Sequence, residues 1–416
     1  MKSKLMRSTN WTPDSWRDFD QRQQPAYPNT KLLSEVLDTL HSLPPIVNYR
    51  EIEDFKQRLA KVEEGRTFII QAGDCAESFI DANIDSVFSR CQLLSRVAEN
   101  YEKLIDNEII TIGRIAGQYS KPRSNEFETI EGIQMPSYRG DLINDSSLCR
   151  SNRIYNPIRL LQGYKAARDS HNYIRDFHKN YNSTIRSFQK IWTSHEGLHL
   201  EYERSHFAKS NENNAWYNLS SHLQWIGART LFKDSAHVEL FSGIHNPIAV
   251  KVGPSISAKD LISVLKKLNP RNEKGKLILI TRFGKESVLD HLPLLVKTVN
   301  SESLNVIWMC DPMHGNTFLN ENKTKTRSVC AITDEIEQTI LILRKHNKHL
   351  GGIHLETTPD EVSECCSIYS EGNEINKSNR YITKCDPRLN ADQFFDVMEK
   401  VALYRQEHGK QIKSIA

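Results

Sequence analysis

At 416 residues, 38% hydrophobic and 26% charged, the chain is long enough for one large domain or two ordinary ones with a sizeable core. A net charge of only +3 does not describe a nucleic-acid binder, and no apolar run approaches the ~18 residues needed to cross a bilayer. The basic start Met1-Lys2-Ser3-Lys4-Leu5 lacks the apolar stretch of a secretory signal, and the eight cysteines form no C-x-x-C pairs, so a cytoplasmic protein without a zinc ribbon or disulfide scaffold is expected.

Residues 1–62 are read as an amino-terminal extension. Its segment "WTPDSWRDFDQRQQPAYPN" is aromatic and proline-rich, and Leu32–Leu43 has the spacing of an amphipathic helix. Trp11 and Trp16 would be costly to leave in water, so the extension is expected to pack on the rest of the chain or on a second subunit, as in a homo-oligomer, a dimer or tetramer.

Residues 63–416 repeat one pattern: short apolar, β-branched runs alternate with segments of helical spacing. The first four runs are Thr67–Gln71, Ile109–Ile115, Lys190–Ser194 and His222–Gly227. The last four are Pro247–Val252, Leu277–Arg282, Asn305–Cys310 and Gly351–Glu356. Helical patterns between them include Asp85–Ile105, Pro157–Phe177, Ala258–Leu268 with Ser257 as its cap, and Thr333–His346. Eight strand-helix units predict an α/β fold, a closed (β/α)8 TIM barrel, with a doubly wound open sheet as the rival. The polar residues favour the barrel. Each run ends in chemistry, as in Gly73-Asp74-Cys75, Ser194-His195-Glu196 and Asp311-Pro312-Met313-His314, and a barrel gathers all those ends at one mouth.

Two sets of residues stand out there. Cys75, His314, Glu356 and Asp386 offer one sulfur, one nitrogen and two oxygen donors, a set that suits a divalent cation such as Mn²⁺, Co²⁺, Fe²⁺ or Zn²⁺. Singly each has a plainer reading: Cys75 is also a candidate nucleophile, disulfide partner or buried small residue, and His314 a hydrogen-bonded core histidine. Arg114, Lys121, Arg123, Arg229, Lys251, Arg282 and Lys325 fall on or just after strand ends. So many cations in one cleft call for anions, and arginine forks match phosphate oxygens, which points to a phosphorylated ligand; one or two of them are equally read as solvated surface charges. The chain has no G-x-x-x-x-G-K-[ST] loop, G-x-S-x-G elbow or H-E-x-x-H helix, so residue chemistry alone does not name the reaction.

The motifs "QAGDCAESF", "GRIAGQYSKPRS", "YRGDLIN", "SHEGLHLEYE", "WIGART", "NPIAVKVGPS", "DPMHGNT", "GGIHLETTPDEVSEC" and "CDPRLNA", with the amino-terminal "WTPDSWRDFDQRQQPAYPN", run nearly end to end and resemble the class II 3-deoxy-D-arabino-heptulosonate 7-phosphate (DAHP) synthases. That resemblance implies condensation of phosphoenolpyruvate with erythrose 4-phosphate on a metal-dependent barrel, the first step of the shikimate pathway and aromatic amino acid biosynthesis. It implies a metal, manganese above all, on Cys75, His314, Glu356 and Asp386. It places phosphoenolpyruvate on Arg114, Arg229, Lys251 and Arg282 with Lys121 nearby, and the aldehyde's phosphate on Arg123 and Ser124. Lys121, Arg114 and Glu196 are then the catalytic candidates, with Lys121 (through a water) or Glu196 managing protons. Cys385, next to Asp386, is expected to approach Cys75, so a second reading beside the metal ligand is that the two could form an inactivating disulfide in metal-free protein.

Two features depart from the family's pattern. In "WIGART" the chain has Ala228 where the family usually has Glu, and Leu231 where it has Arg. The change leaves three readings: an ordinary synthase, a relative using another aldehyde such as an aminated erythrose phosphate, or a non-catalytic binder of phosphorylated metabolites. The span between "YRGDLIN" and "SHEGLHLEYE" is also short, without room for the extra helical pair of members that respond to aromatic amino acids; short members often feed secondary metabolism.

Overall fold

Runs rich in isoleucine, leucine and valine, bounded by glycine or polar residues, form eight strands here: β1 (Thr67–Gly73), β2 (Glu108–Arg114), β3 (Ile191–Glu196), β4 (Leu223–Ile226), β5 (Ile248–Val252), β6 (Leu277–Thr281), β7 (Ile307–Cys310) and β8 (Gly352–Glu356). The structure is a computed structural model and describes residues 11–130, 132–181, 190–366 and 380–413. All the strands pair in parallel with their neighbours in the chain, and β8 returns to β1, which closes the barrel and removes the open-sheet alternative. Register levels the carboxyl ends: Gly73 pairs with both Arg114 and Glu356, and Thr281 with both Val252 and Cys310.

The helices are α1 (Thr30–Ser42), α2 (Tyr49–Glu63), α3 (Ile84–Ile105), α4 (Ile158–Asn180), α5 (Leu200–Ser205), α6 (Ala236–Ser242), α7 (Ala258–Leu268), α8 (Val288–Ser301), α9 (Val329–Lys345) and α10 (Ala391–Lys413). Side-chain caps fix several starts. Ser257 accepts from the Asp260 N–H at α7, as its position predicts, while Ser328 accepts from Ala331 and starts α9 four residues earlier than its apolar spacing does. Among the described residues three hairpins decorate the barrel, including Phe127–Ile130 with Ile133–Pro136 and Thr317–Leu319 with Lys325–Arg327.

Helix α2 closes the amino-terminal end of the barrel. Its Phe55, Leu59 and Val62 are fully buried in one cluster with Ile69, Trp192 and Leu223, and the Phe55 and Trp192 rings lie 4.8 Å apart. Glu63 accepts the Gly275 N–H ahead of β6, tying the helix to a strand start. Farther upstream, Trp16 is buried in the main core, and the Trp11 indole donates to the Glu239 carbonyl at 2.9 Å while packing on Phe207 and Trp216. Both tryptophans are thus covered by the chain's own barrel. Among the described residues no helix is long and apolar enough to cross a membrane.

Candidate active site

At the carboxyl end of β1 the chain turns on Gly73, whose φ of 144° is open to glycine and where a Cβ would lie 2.8 Å from the Arg114 carbonyl. That turn drops Cys75 into the barrel mouth, buried, with its Sγ 3.7 Å from Asp386 Oδ2. Lys121, from the loop after β2, donates to both Cys75 Sγ at 2.6 Å and the Asp386 carboxylate. Glu356 ends β8 with no exposure; its carboxylate receives Arg114 Nη2 at 3.1 Å and Arg327 Nη1 at 2.7 Å and faces His314 Nε2 at 3.2 Å. The other ring nitrogen of His314, Nδ1, meets the Asp311 carboxylate at 2.8 Å, a contact that orients the ring with Nε2 toward Glu356.

Donor atoms of Cys75, Glu356 and Asp386 lie within 4.8 Å of one another, with His314 against Glu356, so sulfur, nitrogen and oxygen donors converge in a group that could hold a metal ion. Charge supports the same reading. Burial raises the Glu356 carboxyl, but His314, Arg327 and Arg114 outweigh it and hold the group well below the usual carboxylate range. Burial also opposes ionisation of Asp311 and Asp386, and is outweighed by His314 and Lys251 for the first and by Lys121 and Arg327 for the second. The Cys75 thiol goes the other way: burial, a hydrogen bond with Cys385 and the Glu356 charge push it well above its ordinary value. A bound divalent cation reverses that balance, because the thiolate is the form that ligates. Cys385 does approach Cys75, and both are free thiols.

The cations line the same cavity, of about 830 Å³. Arg114 is fixed by the Asp74 and Cys75 carbonyls and by His354, whose Nδ1–H donates to Gln71 Oε1 so that its Nε2 accepts from the guanidinium. Burial and the neighbouring Lys251 and Arg114 charges hold His354 well below its ordinary value, as a neutral ring. Lys251 pairs with Asp311 at 2.8 Å, and the Trp225 ring lies 5.1 Å from the Arg114 guanidinium carbon and 5.6 Å from Lys251 Nζ. Arg282 donates to the His314 carbonyl, Arg229 to Ser124 Oγ, and Arg123 to Glu128. Glu196 enters among them from the end of β3; burial raises its carboxyl, with Lys251 and Arg229 opposing. Lys121 is held as an ammonium, burial being outweighed by the cysteines and Asp386 around it.

Every site residue singled out from the sequence therefore reaches this one cavity. One position needs correcting: Lys325 does not follow a barrel strand but comes from the second hairpin strand between β7 and α9, where it pairs with Asp386 at 3.1 Å. Arg327, on that same short strand, escaped the sequence reading, although it bonds Glu356, the Pro387 carbonyl and Thr317. The strand-end signal misses it because the hairpin folds back over the mouth. Of the two departures, Ala228 lines the cavity beside Arg229, whereas Leu231 is buried in the hydrophobic core.

The opposite end of the barrel carries polar groups too. There Glu51, His171 and His222 also approach within 4.8 Å. His222 Nδ1 accepts the Thr193 backbone N–H at 2.9 Å, however, which puts the ring proton on Nε2 and leaves no lone pair facing the other two. That group does not fit a metal.

Comparison with known proteins gives one family. The class-II DAHP synthetase family matches residues 11–190 and 178–402. Among curated proteins, the phospho-2-dehydro-3-deoxyheptonate aldolase of Neurospora crassa is 38% identical, covering 95% of each chain. That of Streptomyces coelicolor is 35% identical over 95% of this chain and 97% of its own. A probable phospho-2-dehydro-3-deoxyheptonate aldolase of Pseudomonas fluorescens is 37% identical over 88% and 91%. Among solved structures, the phospho-2-dehydro-3-deoxyheptonate aldolase of Francisella tularensis SCHU S4 superposes with a TM-score of 0.53 over 93% of this chain and 99% of that one; at 14% identity it speaks for the fold alone.

Proposed function

The chain belongs to the class-II DAHP synthetase family, and from that premise we propose that it condenses phosphoenolpyruvate with erythrose 4-phosphate to give DAHP and phosphate, the first step of the shikimate pathway. The observation that carries this reading is the convergence of a mixed-donor group and a set of arginines and lysines in one cavity.

Cys75, His314, Glu356 and Asp386 would hold a divalent cation, with manganese first among the candidates. When bound, that cation supplies Lewis-acid polarisation of the aldehyde carbonyl. The chain's own residues do the rest. Arg114, Lys251, Arg282 and Arg229 hold the anionic phosphoenolpyruvate with its C3 toward the aldehyde carbon, Arg114 and Lys251 lying against the Trp225 ring. Arg123 and Ser124 take the aldehyde's phosphate. C3 attacks the carbonyl carbon, the carbonyl oxygen takes up a proton, water adds at C2, and the bond from C2 to the phosphate oxygen breaks. Lys121, as an ammonium, is placed to donate the proton at the new hydroxyl, and the Glu196 carboxylate to accept one from the attacking water.

The test follows phosphoenolpyruvate consumption and phosphate release with Mn²⁺ and erythrose 4-phosphate, before and after chelation. Turnover that disappears on metal removal and returns with Mn²⁺ is the expected result. Phosphoenolpyruvate binding without turnover would move the reaction to another aldehyde, with Ala228 the residue to revert to Glu.

We further propose that aromatic amino acids do not regulate the enzyme through this part of the chain. Between the Phe127–Pro136 hairpin and β3, α4 is the one long helix among the described residues, and those residues offer no helical pair around an effector. Tryptophan, phenylalanine and tyrosine are each expected to leave the rate unchanged; several-fold inhibition by any of them would overturn this. A place in the cytoplasm, a homodimer or homotetramer, and a product feeding secondary metabolism complete the reading.

A further inference from the structure

Two of the long motifs have no part in the chemistry above: "QRQQP" in the amino-terminal extension and "YRGDLIN" after the first hairpin. Both lie against the loop that carries Lys121, Arg123 and Ser124. Gln23 forms a two-point amide pair with the backbone of Arg123: the Arg123 N–H donates to Gln23 Oε1 at 3.0 Å, and Gln23 Nε2 donates to the Arg123 carbonyl at 3.1 Å. The Arg139 guanidinium then donates to both the carbonyl and Oε1 of Gln23, at 3.1 and 3.0 Å. From the other side the Arg139 carbonyl accepts the Lys121 N–H at 2.8 Å. The backbone itself is bent for this purpose. Gln23 has φ of 64°, a left-handed conformation that a non-glycine residue rarely adopts. Gly140 has φ of 98°, where a Cβ would lie 2.1 Å from the Tyr119 carbonyl. Next in the chain, Gln24 makes a similar bridge, accepting from the Leu200 N–H and donating to the Leu198 carbonyl just beyond Glu196.

We propose that Gln23 and Arg139 are positioning residues that clamp the Lys121–Ser124 loop, and so set where Arg123 and Ser124 meet the phosphate of the aldehyde substrate. The proposal rests on the function given above for what that loop binds, but the clamp itself does not. An amide pair on both backbone groups of Arg123 leaves the residue little freedom to shift along or twist about its own axis. Arg139 links that pair to the backbone of Lys121, so the two cations are held in register two residues apart.

Gln23→Gly is the informative variant, because glycine accepts the left-handed backbone while losing the side chain that carries the amide. Amide hydrogen exchange over residues 119–126 is expected to accelerate several-fold in the variant, with the barrel strands unchanged. In the same protein the KM for erythrose 4-phosphate is expected to rise about tenfold while that for phosphoenolpyruvate stays within about twofold, because a misplaced anchor weakens one substrate only. Unchanged exchange would overturn the clamp. Faster exchange with equal effects on both substrates, or with none, would overturn its assignment to the aldehyde's phosphate. A parent enzyme that exchanges slowly at this loop and fails to use erythrose 4-phosphate would overturn the functional reading, and faster exchange in Gln23→Gly would still establish the clamp.

Discussion

Glu356→Gln is expected to lower kcat/KM by about a thousandfold and, on the proposed function, to weaken binding of a divalent cation, the largest effect of any single change at the mouth. The carboxylate is fully buried, and two guanidiniums and an imidazole converge on it. Glutamine keeps the shape but removes the charge, leaving Arg114 and Arg327 facing each other across a neutral amide. A thousandfold loss corresponds to about 4 kcal/mol of transition-state stabilisation, at about 1.36 kcal/mol per tenfold; separately, breaking the buried ion pair costs about 3–5 kcal/mol of fold stability. Metal content by mass spectrometry and steady-state kinetics read the two consequences separately. Activity within tenfold of the parent, with metal retained, would remove Glu356 from the site.

Phe55→Ala is expected to be the most damaging change away from the mouth, at about 3–5 kcal/mol of stability, the usual cost of truncating a buried aromatic residue. Phe55 has no exposed surface and packs against Trp192 in the cluster that fills the amino-terminal end of the barrel. The cavity left behind would be lined by strand residues that cannot collapse, because the closed hydrogen-bond network fixes their spacing. Denaturant titration reads the loss directly. A shift below about 1 kcal/mol would mean that α2 packs loosely and that the barrel is stable without its plug.

The barrel was legible because its signal is local. Parallel strands buried on both faces must be nearly continuous in apolar residues, so each appears in the sequence as a short run that ends where polar side chains begin. The mouth was legible for a related reason: a barrel sends every strand end to one face, so residues such as Cys75, Glu196 and Glu356 are brought near one another by topology alone. The cap residues Ser257 and Ser328 show the limit of that reading. Both start helices by one hydrogen bond, but only the first stands directly before the apolar spacing that announces its helix.

What the sequence determined by itself is the number and order of the strands, the face that carries the chemistry, and the residue types offered there. Only the tertiary structure decided which groups meet. Arg327 reaches Glu356 from a hairpin, α2 enters the barrel end as a plug, and Gln23 crosses about a hundred positions of sequence to bond Arg123. The physical reason is the range of the interactions. Strand formation and caps depend on neighbours a few residues away, whereas an ion pair or an amide pair depends on two distant backbones arriving at hydrogen-bond distance, and packing of the whole chain sets that separation.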